Sequence, residues 1–420
     1  MKMQKLSLGI LFIALAVPGL AQAEVTWNGG AGVRHLIRKI DDGLNSVDAN
    51  GNSTSKTTNR RWEYRAMLGV GSKSDSIDWG IDVRTSPNIR TEWLQANQGA
   101  DFALGLAQAY ARWHTNFSDT DLAITIGRAK TVLLYDNVVQ SLFDNDVRWD
   151  GFGWAIKHGM FGLNATQYVL GAVSQGTVGA STYTNTASTD SSPQTQSHFG
   201  VLYSVQPWVE FKWNEDITSK FAIGWLNWSG TGGSTSGTNG TGFFTNTVHG
   251  GTLATADTLN AAGAGTVIMD NAQQWQFFVD NSLPYDFRLM GEYIMNKKTF
   301  YGTRLQAASP TVEASRTAWA ATIAWGKPKK AGDLYFAYSY GSKGLASVIS
   351  NYSNGDIAAD NNSHWLEGRY YYADNVNFTA KAQFHKEKSL LGATGQPEPA
   401  PNASRKQTEN RYEFVTSIAI

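Results

Sequence analysis

The feature that most constrains this 420-residue chain is a period-two alternation of apolar and polar residues, recurring from Val25 to the last residue, Ile420. Successive side chains of a strand point to opposite faces, so each run presents one apolar and one polar face. Sixteen runs can be read. The apolar face of the first carries Val25, Trp27, Ala31 and Val33; that of the second carries Trp62, Tyr64, Leu68 and Val70. The fourth places Ala107, Ala109, Ala111 and Trp113 together, the fifth Leu122, Ile124 and Ile126, and the sixth Phe152, Trp154 and Ile156. The seventh, over residues 162–172, has no single phase. The last carries Tyr412, Phe414, Thr416 and Ile418. The opposite faces are polar, with Glu63 and Arg65, Glu367 and Arg369, Lys381 and His385, and Arg411 and Glu413.

The connections alternate in length as strictly as the residues alternate in polarity. Short links at 71–76, 115–120, 158–161, 214–217, 281–285, 326–332 and 373–375 follow the even runs. Long ones, including 36–59, 85–102, 173–197, 229–272 and 387–410, follow the odd runs. A soluble sandwich also alternates, with its apolar face inward. Short turns on one side, long loops on the other and aromatics near the run ends instead predict an all-β transmembrane antiparallel barrel of 16 strands. Lipid offers no partner to an open sheet edge, so the sheet must close.

Composition agrees. Charged residues make up 17% of the chain, against about 25% in soluble domains, while aromatics reach 12%. Cysteine is absent, which excludes disulfides, thiolate metal sites and Cys nucleophiles. Met1–Lys5 is basic, residues 6–20 are mostly apolar, and Ala21-Gln22-Ala23 has the form of a cleavage site. Residues 1–23 therefore read as a secretory signal peptide and 24–420 as one barrel domain. Removing Lys2 and Lys5 leaves the mature chain at −2, which gives no support to a nucleic-acid partner.

The signal peptide, the run count, the stretch GRAKTVLLYDN after run five and the amphipathic end RYEFVTSIAI together resemble the Gram-negative general porins of the outer membrane, and the group labelled putative porins. The resemblance implies a water-filled channel in the cell outer membrane, passing ions and small hydrophilic solutes without a cofactor. It also implies a homotrimer surrounded by outer-membrane lipid, and a third outer loop folded into the lumen. Family members commonly end in an aromatic residue; this chain ends in Ile420.

The third long connection here is residues 129–149, partly apolar through Val132, Leu133, Leu134, Val138, Val139, Leu142 and Phe143. An exterior loop has little use for these. Folded inward, it would bring Asp136, Asp144, Asp146, Arg148 and Asp150, with Arg128 and Lys130 at its start, to a pore constriction. The facing wall would carry Arg34, Arg61, Arg65, Arg84 and Arg112. Charges across a constriction select ions, and the loop acids lean the expected preference toward cations. Catalytic and metal-binding readings find no support: the seven histidines fall in no HExxH or other ligand spacing. The apparent calcium-loop echoes at 48–52 and 144–151 lack the Glu at position twelve. Tyr110, Phe278, Tyr335 and Tyr371 on the inner face leave a sugar path open. The alternative to a channel is a plugged barrel acting as a structural or adhesive protein through its long Ser/Thr/Gly-rich loops.

Overall fold

The computed structural model describes residues 24–41, 56–85, 93–95, 104–140, 142–145, 147–170, 200–229, 245–247, 266–268, 272–298, 301–302, 312–313, 315–344, 347–348, 361–388 and 408–419. The segment 1–23, Ile420, Asp146 and most of the long outer connections lie outside them.

Sixteen long strands make one closed sheet. They are β1 (Val25–Asp41), β2 (Lys56–Lys73), β3 (Ile77–Thr85), β4 (Leu104–Phe117), β5 (Thr120–Ala129), β6 (Trp149–His158), β7 (Phe161–Leu170) and β8 (Gly200–Lys212). The second half is β9 (Thr218–Ser229), β10 (Gln273–Ser282), β11 (Phe287–Asn296), β12 (Thr317–Trp325), β13 (Leu334–Lys343), β14 (Asn361–Ala373), β15 (Val376–Glu387) and β16 (Thr408–Ala419). Each pairs antiparallel with the next, and β1 pairs with β16 from Gly30↔Ala419 to Asp41↔Thr408. That last ladder removes the edges and satisfies the backbone within the sheet. The sixteen runs read from the sequence are these sixteen strands.

The barrel is inside-out relative to a soluble protein. Leu68, Ile223, Phe277, Phe336 and Phe414 are exposed, whereas Gln206, Gln276 and Gln383 are fully buried. The apolar belt faces outward, as it does where lipid is the solvent. Alternation resolves the seventh run: Phe161, Leu163 and Val169 face out, and Asn164, Thr166 and Tyr168 face in. It also corrects the fourth. The register slips opposite Asp82 and Val83, which partner Gln108 and Leu106 and leave Ala107 unpaired. A bulge inserts one residue and changes the phase, so Leu104 and Leu106 share the outward face with Ala109 and Ala111 beyond it.

Candidate functional site

The third long connection leaves the sheet at a fixed point. Gly127 and Gly151 partner each other across β5 and β6, and both have positive φ (108° and 143°). A Cβ on either would run into a neighbouring carbonyl, of Ala109 or Gln167, so only glycine fits. Two residues on, Ala129↔Trp149 is the last pair, and the described residues between them turn into the lumen.

What draws them in is apolar burial. Leu142, Phe143 and Val147 pack with Tyr168, Leu226, Trp228 and Ile294, on β7, β9 and β11. Val139 packs with Ala324, Tyr335, Ala337 and Trp365, on β12 to β14. Leu142, Val147 and Val139 are 0%, 3% and 2% exposed. At roughly 1.5–3 kcal/mol for each fully buried large apolar side chain, these residues hold the segment against the wall. The wall is shaped to receive it: the inward positions of β12 are Ala318, Ala320, Thr322 and Ala324, all small.

The loop's backbone is also strapped down. The N–H of Leu134 donates to Gln206 Oε1 at 2.7 Å, and its carbonyl accepts from Gln206 Nε2 at 2.9 Å and Gln276 Nε2 at 3.1 Å. The row continues, with Asn164 Nδ2 donating to Gln206 Oε1 at 3.3 Å and Gln276 Nε2 to Glu292 Oε1 at 2.6 Å. Gln206 on β8 and Gln276 on β10 thus bond the loop residue directly, and Asn164 on β7 and Glu292 on β11 bond those two glutamines in turn. Buried backbone groups need such partners. Nearer the stem, Tyr168 Oη accepts from the N–H of Val132 at 3.3 Å and donates to Thr131 Oγ1 at 3.3 Å.

The seven charged residues expected at the constriction have different destinations. Asp136 is inside the lumen but turned into the wall, 1% exposed. Its Oδ1 accepts from the N–H groups of Val138 and Val139 at 3.1 and 3.3 Å, and its Oδ2 from Thr322 Oγ1 at 2.5 Å. Beside it, Asn137 is exposed, and Arg288 Nη1 donates to its Oδ1 at 3.3 Å. Asp144 is half-buried and its carbonyl accepts from the N–H of Val147. Arg148 Nη1 donates to the carbonyls of Asn145 and Val147. Lys130 is exposed at the start of the segment, and Asp146 lies outside the described residues.

Arg128 and Asp150 require a correction. They are register partners and form a two-pronged pair, Nε–Oδ1 at 2.8 Å and Nη2–Oδ2 at 2.7 Å. Yet Arg128 continues the outward series Leu122, Ile124, Ile126, and Asp150 stands opposite the exposed Val169. Strand parity sends both to the outer surface, away from the lumen.

The arginines expected on the facing wall lie on β1 to β4. Arg34 on β1 bonds Glu63 through Nε at 2.6 Å and Glu413 through Nη1 at 3.1 Å. Arg61 pairs with Glu63 at 2.8 Å. Arg84 is buried, 4.0 Å from Asp82. Arg112 is inward on β4 with Asp78 as its register partner, near the short turn between β2 and β3. Arg38 and Trp93 were not foreseen there, and Arg411, read from the sequence as a charge of the polar face, joins them. Arg38 bonds Glu409 at 2.5 and 2.9 Å, and Arg411 pairs with Glu413 at 2.9 Å. Trp93, from the second outer connection, lies under both Arg34 (4.5 Å) and Arg65 (4.7 Å). The adjacent Leu94–Gln95 pairs with Tyr64 and Glu63, extending the sheet beyond the end of β3.

The outer connection after β13 also reaches inward at its described residues, Ser347 and Val348. Val348 joins the same apolar cluster as Leu142, and the Ser347 carbonyl accepts from Gln274 Nε2 at 2.7 Å. Of the inner-face aromatics, Tyr335 lies within the Val139 cluster, and Tyr110, Phe278 and Tyr371 stand on β4, β10 and β14. Ser363 bonds His385 Nδ1 at 2.8 Å across β14 and β15, both residues being buried in the wall. His364, its sequence neighbour, faces the other way onto Tyr338 and Tyr340.

Among solved structures, OprB of Pseudomonas putida at high pH shares 8% identity with a TM-score of 0.48, covering 94% of each chain. A triple mutant of Rhodopseudomonas blastica porin shares 9% (TM-score 0.39; 94% of this chain and 100% of that one). OmpT of Vibrio cholerae shares 12% (TM-score 0.44; 95% and 98%). No curated protein matches. The family model described as "Putative porin" matches residues 37–291, more than half of the sequence, and the chain belongs to this family of outer-membrane porins.

Proposed function

We propose that this porin is a passive, water-filled channel for ions and small hydrophilic solutes, narrowed by residues 130–148, with no catalytic role. The observation that carries the reading is the asymmetric seating of the loop. It is fastened along β7 to β14, while the charged side chains of β1, β2 and β16 lie on the remaining wall. A wall of ionised groups is what a wet lumen requires, because such groups are costly to enclose without water. Sixteen strands give a barrel wide enough for an aqueous channel. The constriction residues are then Lys130, Asp144 and Arg148 on the loop, with Asn137 at its exposed point and Arg288 beside it. Export by cleavage after Ala23 and assembly into a homotrimer belong to the same proposal. Liposome swelling tests it. Vesicles holding the folded protein should swell in isosmolar monosaccharide, and more slowly as the solute grows. Folded barrels that admit no sugar would overturn it.

A further inference from the structure

We propose that the turn between β12 and β13, residues 326–333, is a docking point for anionic phospholipid headgroups of the periplasmic leaflet. The turn holds Lys327, Lys329 and Lys330 against one acid, Asp333. The other six short turns carry Asp75, Asp119, Glu215, Asp216, Asp286 and Asp374 between their strands, and no lysine or arginine. This end of the barrel is therefore an acidic rim with one cationic point. Short turns form the periplasmic ends of such barrels, so the three lysines stand at the foot of the membrane, away from the constriction.

The backbone of the turn is tied down while two of its lysine side chains are left open. Asp333 Oδ2 accepts from the N–H groups of Lys329 and Lys330 at 2.8 and 2.9 Å, and the N–H of Ala331 donates to Asp374 Oδ1, on the next turn, at 2.7 Å. The N–H of Gly332 donates to the Tyr371 carbonyl at 2.7 Å, and that of Tyr371 to the Asp333 carbonyl at 3.0 Å. These bonds carry the β13–β14 ladder past its last pair, Leu334↔Tyr370. Two acids of the rim are engaged at the same place: Asp286 pairs with Lys327 at 2.5 Å, and Asp374 holds Ala331. Lys329 and Lys330 are exposed, and among the described residues no carboxylate forms an ion pair with either ammonium group. A fixed backbone thus presents two open cations.

The surroundings point to a lipid. Trp325 and Leu334, the strand residues that flank the turn, are exposed on the outward face, and Phe336 stacks on Trp325 at 5.9 Å. Tyr285 on the turn before and Tyr372 at the end of β14 are 87% and 68% exposed. Aromatic rings of this kind collect at the headgroup level of a bilayer. Lysine stems lie along apolar surface while their ammonium groups stay in the polar layer. An edge that is apolar above and cationic below fits a phosphodiester joined to acyl chains. A soluble acidic polymer would use the lysines and leave the rings bare.

The test is native mass spectrometry of the folded, full-length mature protein in a neutral detergent, titrated with phosphatidylglycerol or with phosphatidylcholine at low salt. Phosphatidylglycerol should bind more tightly. Lys329→Gln with Lys330→Gln keeps the N–H groups that Asp333 holds, and should weaken phosphatidylglycerol binding on the order of 25-fold, about fivefold for each lysine. Lys297→Gln with Lys298→Gln makes the same change of charge beyond the outer end of β11 and should leave binding unchanged. Excess inorganic phosphate should not displace the lipid. Equal affinity for the two lipids, turn variants indistinguishable from the parent, or an equal loss in the outer-end variant would overturn the docking point. Displacement by inorganic phosphate would give the turn to the free ion, and retention on polyglutamate without a lipid preference would give it to an acidic polymer; either would overturn the lipid assignment.

Discussion

Deleting residues 133–142 should roughly double the single-channel conductance. Strands spaced about 4.8 Å apart and tilted ~40° close, at sixteen, into a barrel of about 16 Å backbone radius. Inward side chains reduce the free radius to roughly 11 Å, and a packed segment on half the wall takes about half of that area. The stems tolerate the loss, because Ala129 and Trp149 are direct partners and what remains of the loop can close as a hairpin connection. The strand ladders on either side are untouched. Planar-bilayer recordings and the size limit in liposome swelling measure the effect. Conductance equal to that of the parent would mean that this segment does not set the bore.

The second large effect is expected at Asp136. Asp136→Ala removes the acceptor of three hydrogen bonds, two from backbone N–H groups and one from Thr322. Leaving buried donors unsatisfied costs about 1–3 kcal/mol each. With partial rescue by water, a total near 3 kcal/mol raises the detached population on the order of 100-fold. The sequence contains no cysteine, so Val139→Cys provides a single reporter at a site 2% exposed. A water-soluble thiol reagent should label it slowly in the parent and on the order of 100-fold faster with Asp136→Ala. Equal labelling rates would show that the wall contacts of Asp136 do not hold the loop.

Much of the fold was legible because the pleat makes polarity repeat every two residues, and because lipid and water lie on opposite sides of every strand. Runs such as Trp275, Phe277, Val279 and Phe287, Leu289, Tyr293 keep that phase throughout. The fourth run was read in the right phase from Ala109 to Trp113 but not at Ala107, because a bulge there changes the phase without any residue that announces it. The inward loop was legible from its apolar content and its place after the fifth strand. The destinations of its charges were not. Composition gives Asp136 and Asp150 equal claims on the pore, yet one is drawn into the wall by Thr322, 186 positions away, and the other is sent outward by parity. The second could have been read by continuing Leu122, Ile124 and Ile126 to Arg128. Two further signals were present but unread: the glutamines at inward positions 206 and 276, which serve Leu134, and the small inward residues of β12, which make room for the loop. Trp93 carried no local signal, because its role depends on two arginines brought together by strand pairing.

The most direct test of the account is single-channel conductance of the refolded mature protein in a planar bilayer over a tenfold range of KCl. A water-filled barrel narrowed by a fixed loop predicts discrete steps whose size rises in proportion to the conductivity of the bath, closing in threes if the assembly is trimeric. Protein shown to be folded by its β-sheet spectrum, yet producing no steps at any salt concentration, would contradict it.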